Sequence, residues 1–124
     1  MDIKHTSSLT PDLVCEKVKT IIEDHKGLDL VVVDLKEKSS IADYMMIVSG
    51  TSNRHLVGMA GAIVEGIAKS GLRARSVEGL TLADWVLIDL GDIIVHLFRP
   101  EIRTFYDLEK MWGVVLPVSQ LEVV

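Results

Sequence analysis

A chain of 124 residues, 48% hydrophobic and 25% charged, has the size and make-up of one compact domain and leaves little room for extended disorder. Its apolar segments are short and broken by charge, below the ~20 residues a membrane-spanning helix needs, and a formal charge of −5 argues against affinity drawn from phosphate contacts. The single cysteine, Cys15, excludes an internal disulfide and a Cys-based zinc site within one chain, so a reducing compartment is expected.

Met1 to Thr10 has neither the apolar core of a secretory signal nor an Arg-rich amphipathic pattern, so a bacterial cytoplasm is the expected location, although a processed organelle protein would read the same. No repeat or linker divides the chain. Thr10-Pro11 reads as an N-cap with proline at the first helical position, and Val14, Val18, Ile21, Ile22 and His25 follow along one face until Gly27, predicting a helix over about 11–26. Leu30 to Val33 and Tyr44 to Val48 are continuous apolar runs, expected as strands covered on both faces, with a polar connection from Lys36 to Asp43.

Ser49-Gly50-Thr51-Ser52 then caps a helix whose core face is Leu56, Met59, Ala60, Ile63, Val64 and Ile67, ending near Ser70-Gly71. Gly58, Gly61 and Gly66 inside it each cost about 1 kcal/mol relative to alanine, which predicts that this helix lies close on a sheet. A strand from about Leu72 to Val77 completes a strand–helix–strand unit, implying a right-handed parallel crossover. Trp85 to Leu90 and Ile93 to Phe98 form two more strands, and Gly91-Asp92 between them fits a type II′ hairpin. The fold class is therefore α/β, with a mixed five-stranded sheet flanked by helices. After Pro100 a helical pattern includes Asp107, Leu108, Met111 and Trp112 before Gly113. The domain is read as 1–113, and 114–124 as an apolar tail without clear periodicity, for which covering a sheet edge, packing on a partner and fraying all stay open.

The run from Ser49 to His55 lies between a strand and a helix, where free amides could cradle a phosphate, but an ordinary N-cap explains it as well, and neither the P-loop lysine pattern nor GxGxxG is present. A metal-dependent nucleotidyltransferase would follow a Gly-Ser pair here with an Asp-x-Asp pair for two metals. None follows: Glu65 stands alone, and Asp89 and Asp92 are separated by a turn. His55 and His96 have no second histidine at ligand spacing and read as structural, and Ser49 with His55 lacks a Gly-x-Ser-x-Gly elbow. Neither cofactor nor metal is expected, and Cys15 reads as a small core residue.

Between Glu78 and Trp112 the chain carries seven carboxylates (Glu78, Asp84, Asp89, Asp92, Glu101, Asp107, Glu109) against Arg99, Arg103 and Lys110, interleaved with Trp85, Phe105, Tyr106 and Trp112. Aromatic anchors in an acidic surround suit docking onto a basic protein, while core packing with solvated carboxylates is the competing explanation. Asp84-Trp85 favours docking, because it starts a strand just after the loop Glu78 to Ala83, where an aromatic can stand exposed.

Several separated blocks carry a more specific resemblance: Ser-Gly-Thr-Ser-Asn-Arg-His at 49–55, Glu78-Gly79, the run from Ala83 to His96, Pro100-Glu101 with Arg103, and Tyr106 through Trp112. In that order and spacing they resemble the Iojap or ribosomal silencing factor family over roughly Thr10 to Gly113. The tail beyond Gly113 lies outside the resemblance.

The resemblance implies a homodimer with a nucleotidyltransferase-like fold lacking the catalytic carboxylates, and no enzymatic activity. It also implies binding to the large ribosomal subunit through its fourteenth protein, which would block joining with the small subunit and repress translation. An acidic chain is steered toward basic ribosomal proteins. Carried over by position, Glu78, Asp84 and Trp85 match the family's ribosome-facing block and Tyr106-Asp107 its second block, with Asp89 and Arg103 beside them. The alternatives are a large-subunit assembly factor, which would need the same surface, and a nucleotidyltransferase-like enzyme using the Ser49–His55 loop with Asp89 or Asp92.

Overall fold

The computed structural model describes residues 9–38 and 40–106. Helix α1 spans Pro11–Asp24. Thr10 caps it with an extended backbone and a hydroxyl that accepts from the Leu13 amide at 3.2 Å, and Pro11 stands where a missing N–H is harmless. Val14, Cys15, Val18 and Ile22 form its buried face, while His25, which periodicity adds to that face, is exposed. The helix ends at Asp24 because Lys26, not Gly27, takes the left-handed conformation (φ +61°), and the amides of Lys26 and Gly27 return to the carbonyls of Glu23 and Ile22. Gly27 serves close approach instead, since a Cβ there would press on Ile22 and Val48.

The strands are β1 (Leu28–Asp34), β2 (Tyr44–Ser49), β3 (Ser76–Glu78), β4 (Trp85–Asp89) and β5 (Ile93–Phe98), in the order β1-β2-β5-β4-β3. Helix α2 (Asn53–Lys69) joins β2 to β3, and α3 (Pro100–Tyr106) follows β5. Only β2 and β5 pair in parallel; the other neighbours are antiparallel, so the mixed five-stranded sheet is as expected. β3 runs parallel to β2, as the crossover requires, but lies at the far edge with β5 and β4 between them. It is also shorter than the predicted Leu72–Val77. Ahead of Ser76, the Arg75 amide alone reaches the sheet, bonding to the Asp89 carbonyl at 2.7 Å. The β4–β5 connection is the three residues Leu90, Gly91 and Asp92, one longer than the predicted Gly91-Asp92 pair because β4 ends at Asp89; Gly91 takes φ +95° and the Leu90 amide donates to the Ile93 carbonyl at 2.9 Å.

The apolar runs of β1 and β2 look alike in sequence, yet their burial differs. β2 is central and buried from Met45 to Ser49. β1 is an edge strand, exposed at Leu28 and Val32, so it is not covered on both faces as its composition suggests. A register shift between Leu28 and Val31, with Asp29 at φ +51°, bulges that edge.

Alternation within the strands divides the interior in two. On one face, Met46, Val48, Val86, Ile88, Val95 and Leu97 pack with the buried residues of α1 and α2. On the other, Met45, Ile47 and Phe98 form a smaller core with Leu35 and Ala42, bordered by Trp85, Ile94 and Ile102. Helix α2 buries Leu56, Met59, Ala60, Ile63 and Ile67. Its glycines do not provide the expected approach to the sheet: a Cβ on Gly58 or Gly61 would meet nothing within 4 Å, and one on Gly66 would meet Ile21 of α1.

A candidate protein-docking site

β2 and β5 end, and β4 begins, at the same edge of the sheet, where Ser49, Phe98 and Trp85 stand in register across the three strands. The connections there are the β2–α2 turn, the β3–β4 loop and the start of α3.

Trp85 lies half-buried on the second face, its ring 4.9 Å from that of Phe98. Its indole N–H donates to His96 Nδ1 at 3.0 Å, which requires that nitrogen to be unprotonated. His96 is 5% exposed, and burial pushes its pKa down to about 4, so it is a neutral acceptor at physiological pH. The tryptophan that composition places in the open is thus pinned along one side.

What stands out beside it is leucine: Leu80 is 43% and Leu82 73% exposed, in the loop 79–84. Gly79 makes that loop possible, with φ +88° and a position where any Cβ would collide with the Trp85 carbonyl oxygen. The Ala83 amide closes the turn onto the Gly79 carbonyl at 2.9 Å, Ala83 itself adopting φ +55°. Asn53, the first residue of α2, donates from Nδ2 to the Leu82 carbonyl at 2.7 Å.

Charge frames the loop. Glu78 precedes it, exposed; Asp84 is its last residue, 3.1 Å from Arg99 Nε, and Arg99 also lies 3.3 Å from Glu101. From Ser76 through Phe98 the chain has four carboxylates and no lysine or arginine.

The structure gathers Glu78, Asp84 and Trp85 around this loop and sets other expected residues apart. Asp89 is at the opposite end of β4 from Trp85, roughly 13 Å along the strand, and its Oδ1 accepts from the Gly91 amide at 2.8 Å. Arg103 is turned inward, 8% exposed, with Nη1 donating to Ser49 Oγ at 2.9 Å. Tyr106 closes α3, and Asp107 lies outside the described residues, as does the predicted pattern through Trp112. Leu80, Leu82 and Asn53 escape a reading of the sequence; two leucines between Glu78 and Asp84 in a glycine-led loop were the available signal.

The Ser49–His55 segment ties its own polar groups inward. The Gly50 amide donates to the Phe98 carbonyl at 2.9 Å, the Ser52 hydroxyl caps α2 at the His55 amide, and the Thr51 amide donates to His55 Nδ1 at 2.9 Å. His55 Nε2 in turn donates to the His25 carbonyl at 2.7 Å, holding α2 to the end of α1. Ser49 and Asp89 occupy opposite ends of the sheet, so the catalytic alternative does not find its groups together. Among the described residues no group of three or more His, Cys, Asp or Glu side chains could hold a metal, and no helix is long and apolar enough to cross a membrane.

Known proteins place this architecture. The family model described as "Ribosomal silencing factor during starvation" matches residues 8–123, and so runs through the tail that the resemblance had left out beyond Gly113. Ribosomal silencing factor RsfS of Zymomonas mobilis is 46% identical over 110 residues, 89% of this chain and 83% of that one. A mouse protein named mitochondrial assembly of ribosomal large subunit protein 1 is 34% identical over 98 residues, covering 75% of this chain and 42% of that one. A crystal structure of a Chromobacterium violaceum protein has a TM-score of 0.83 at 30% identity, covering 85% and 88% of the two chains. Fold and matches together define a small non-enzymatic α/β factor. The chain belongs to the ribosomal silencing factor family, also called Iojap.

Proposed function

We propose that this protein acts in the bacterial cytoplasm by binding the large ribosomal subunit through its fourteenth protein, sterically blocking joining with the small subunit and so repressing translation. The observation that carries this reading is the edge formed by Trp85 and the Gly79–Asp84 loop: apolar side chains framed by Glu78 and Asp84 in a stretch with no lysine or arginine. Such an edge complements an apolar depression rimmed by basic side chains. Glu78, Asp84 and Trp85 form its centre, and the family resemblance adds Tyr106 and Asp107 to the binding residues. Arg103 contributes from within by holding the end of β2, and Asp89 contributes by shaping the β4–β5 turn. The exposed edge strand β1 offers a second copy somewhere to pair, and light scattering at twice the 13.7 kDa chain mass would support a homodimer.

Sedimentation of purified large subunits with the protein, followed by addition of small subunits, tests the reading. Wild type is expected to co-sediment and suppress joining, while Trp85→Ala, which removes a central aromatic, binds ~30-fold more weakly. A folded Trp85→Ala protein that binds normally removes this placement of the site. The mouse relative's name favours a second reading, assembly of the large subunit. Binding that leaves joining untouched would support it.

A further inference from the structure

Leu82 is the most exposed of the large hydrophobic side chains among the described residues, at 73%, and it sits in a loop held on three sides. Gly79 packs its backbone against Trp85, the Ala83 amide closes the turn onto Gly79, and Asn53 reaches from the start of α2 to the Leu82 carbonyl. An apolar side chain presented on a fastened loop loses little conformational freedom on docking, which is the condition under which burial converts into affinity. The Asn53 bond joins positions 29 residues apart, so the β2–α2 turn and the β3–β4 loop hold each other in place.

We propose that Leu82 is a second apolar anchor beside Trp85, inserting into the same basic-rimmed protein surface, and that Asn53 is the positioning residue that presents it. This rests on the docking function proposed above. The exposed carboxylate of Glu78 favours a partner surface whose rim is basic, while Asp84 shares its charge with Arg99 at 3.1 Å and adds less to that preference. In this arrangement Ser49, Thr51, Ser52, Asn53 and His55 support recognition from behind, fastening strand end, helix and loop.

The test is a double-mutant cycle on binding to purified large subunits, with wild type, Leu82→Ser, Asn53→Ala, the double variant, Trp85→Ala, and Leu13→Ser as an exposed leucine on α1 for comparison. Thermal melting of each variant establishes that it is folded. Leu82→Ser is expected to weaken binding ~10-fold or more and Asn53→Ala severalfold, with Leu13→Ser unchanged. The double variant should bind no more weakly than Leu82→Ser alone, because Asn53 acts only through the leucine it presents. Wild-type affinity in Leu82→Ser alongside a loss in Trp85→Ala overturns the second anchor and leaves the docking function standing. Losses that multiply in the double variant overturn the positioning role. Failure of the wild type itself to bind overturns both the docking function and this inference.

Discussion

His96 links a single side chain to the behaviour of the whole fold. Its Nδ1 must accept the Trp85 indole proton, and its burial holds the pKa at about 4, against about 6.5 in an unfolded chain. The unfolded state therefore binds a proton that the folded state refuses between those values. Stability from this residue is complete above pH 6.5 and is lost as pH falls through the folded pKa near 4, a change of roughly 3 kcal/mol at most. Urea unfolding should show a midpoint falling steadily between pH 6.5 and 4.5, and His96→Gln should flatten that slope. An unaltered slope in the variant would assign the effect elsewhere. Asp12, held below the usual carboxylate range by hydrogen bonds from Tyr44 and Lys36, acts in a lower window and does not blur the measurement. Reading the sequence identifies His96 as a strand residue with a structural role, but not its partner: the pairing with Trp85 depends on how β4 and β5 register.

Among the elements, the glycines separate three uses that look identical in sequence. Gly79 needs both its positive φ and the absence of a Cβ, so Gly79→Ala should cost about 2 kcal/mol or more and disturb the loop that carries Leu82. Gly58 lies in the interior of α2 facing open space, so Gly58→Ala should stabilise the protein by about 1 kcal/mol. Denaturant titration of the two variants gives opposite signs if the geometry is right, and a stabilising Gly79→Ala would be incompatible with the loop described. Gly66 is the third kind, packing α2 against Ile21. Four of the strands, both long helices and their N-caps were legible because apolar periodicity and Thr10-Pro11 or Ser52 are local signals, whereas β3 begins four residues later than Leu72 and the first helix stops on Lys26 and not on Gly27. The edge position of β1 was not, since Leu30–Val33 has the composition of a central strand and only strand order distinguishes them. Of the candidate site, the nearness of Trp85 to Glu78 and Asp84 follows from their places in the sequence. The inward turn of Arg103 could not, because it depends on Ser49, 54 residues away.

At the scale of the molecule, the formal charge of −5 acts through where it is placed. A docking edge that meets lysine and arginine should lose affinity as salt shortens the screening length from ~10 Å at 0.1 M toward ~3 Å at 1 M. Large-subunit binding measured across potassium chloride at fixed magnesium should weaken, and Glu78→Lys should bind less well with a shallower salt dependence. Tighter binding by Glu78→Lys would point instead to ribosomal RNA phosphates as the surface approached.

The parallel union of β2 with β5 has a consequence for how the protein is made. Tyr44–Ser49 emerges early in synthesis, yet its neighbour Ile93–Phe98 is translated only after α2, β3 and β4 have followed. Until then one edge of β2 is a row of unpaired peptide groups, on a strand whose Met45, Met46, Ile47 and Val48 are all buried in the finished fold. A chain halted short of Ile93 therefore lacks the strand that closes this side of β2, whatever else it has already folded.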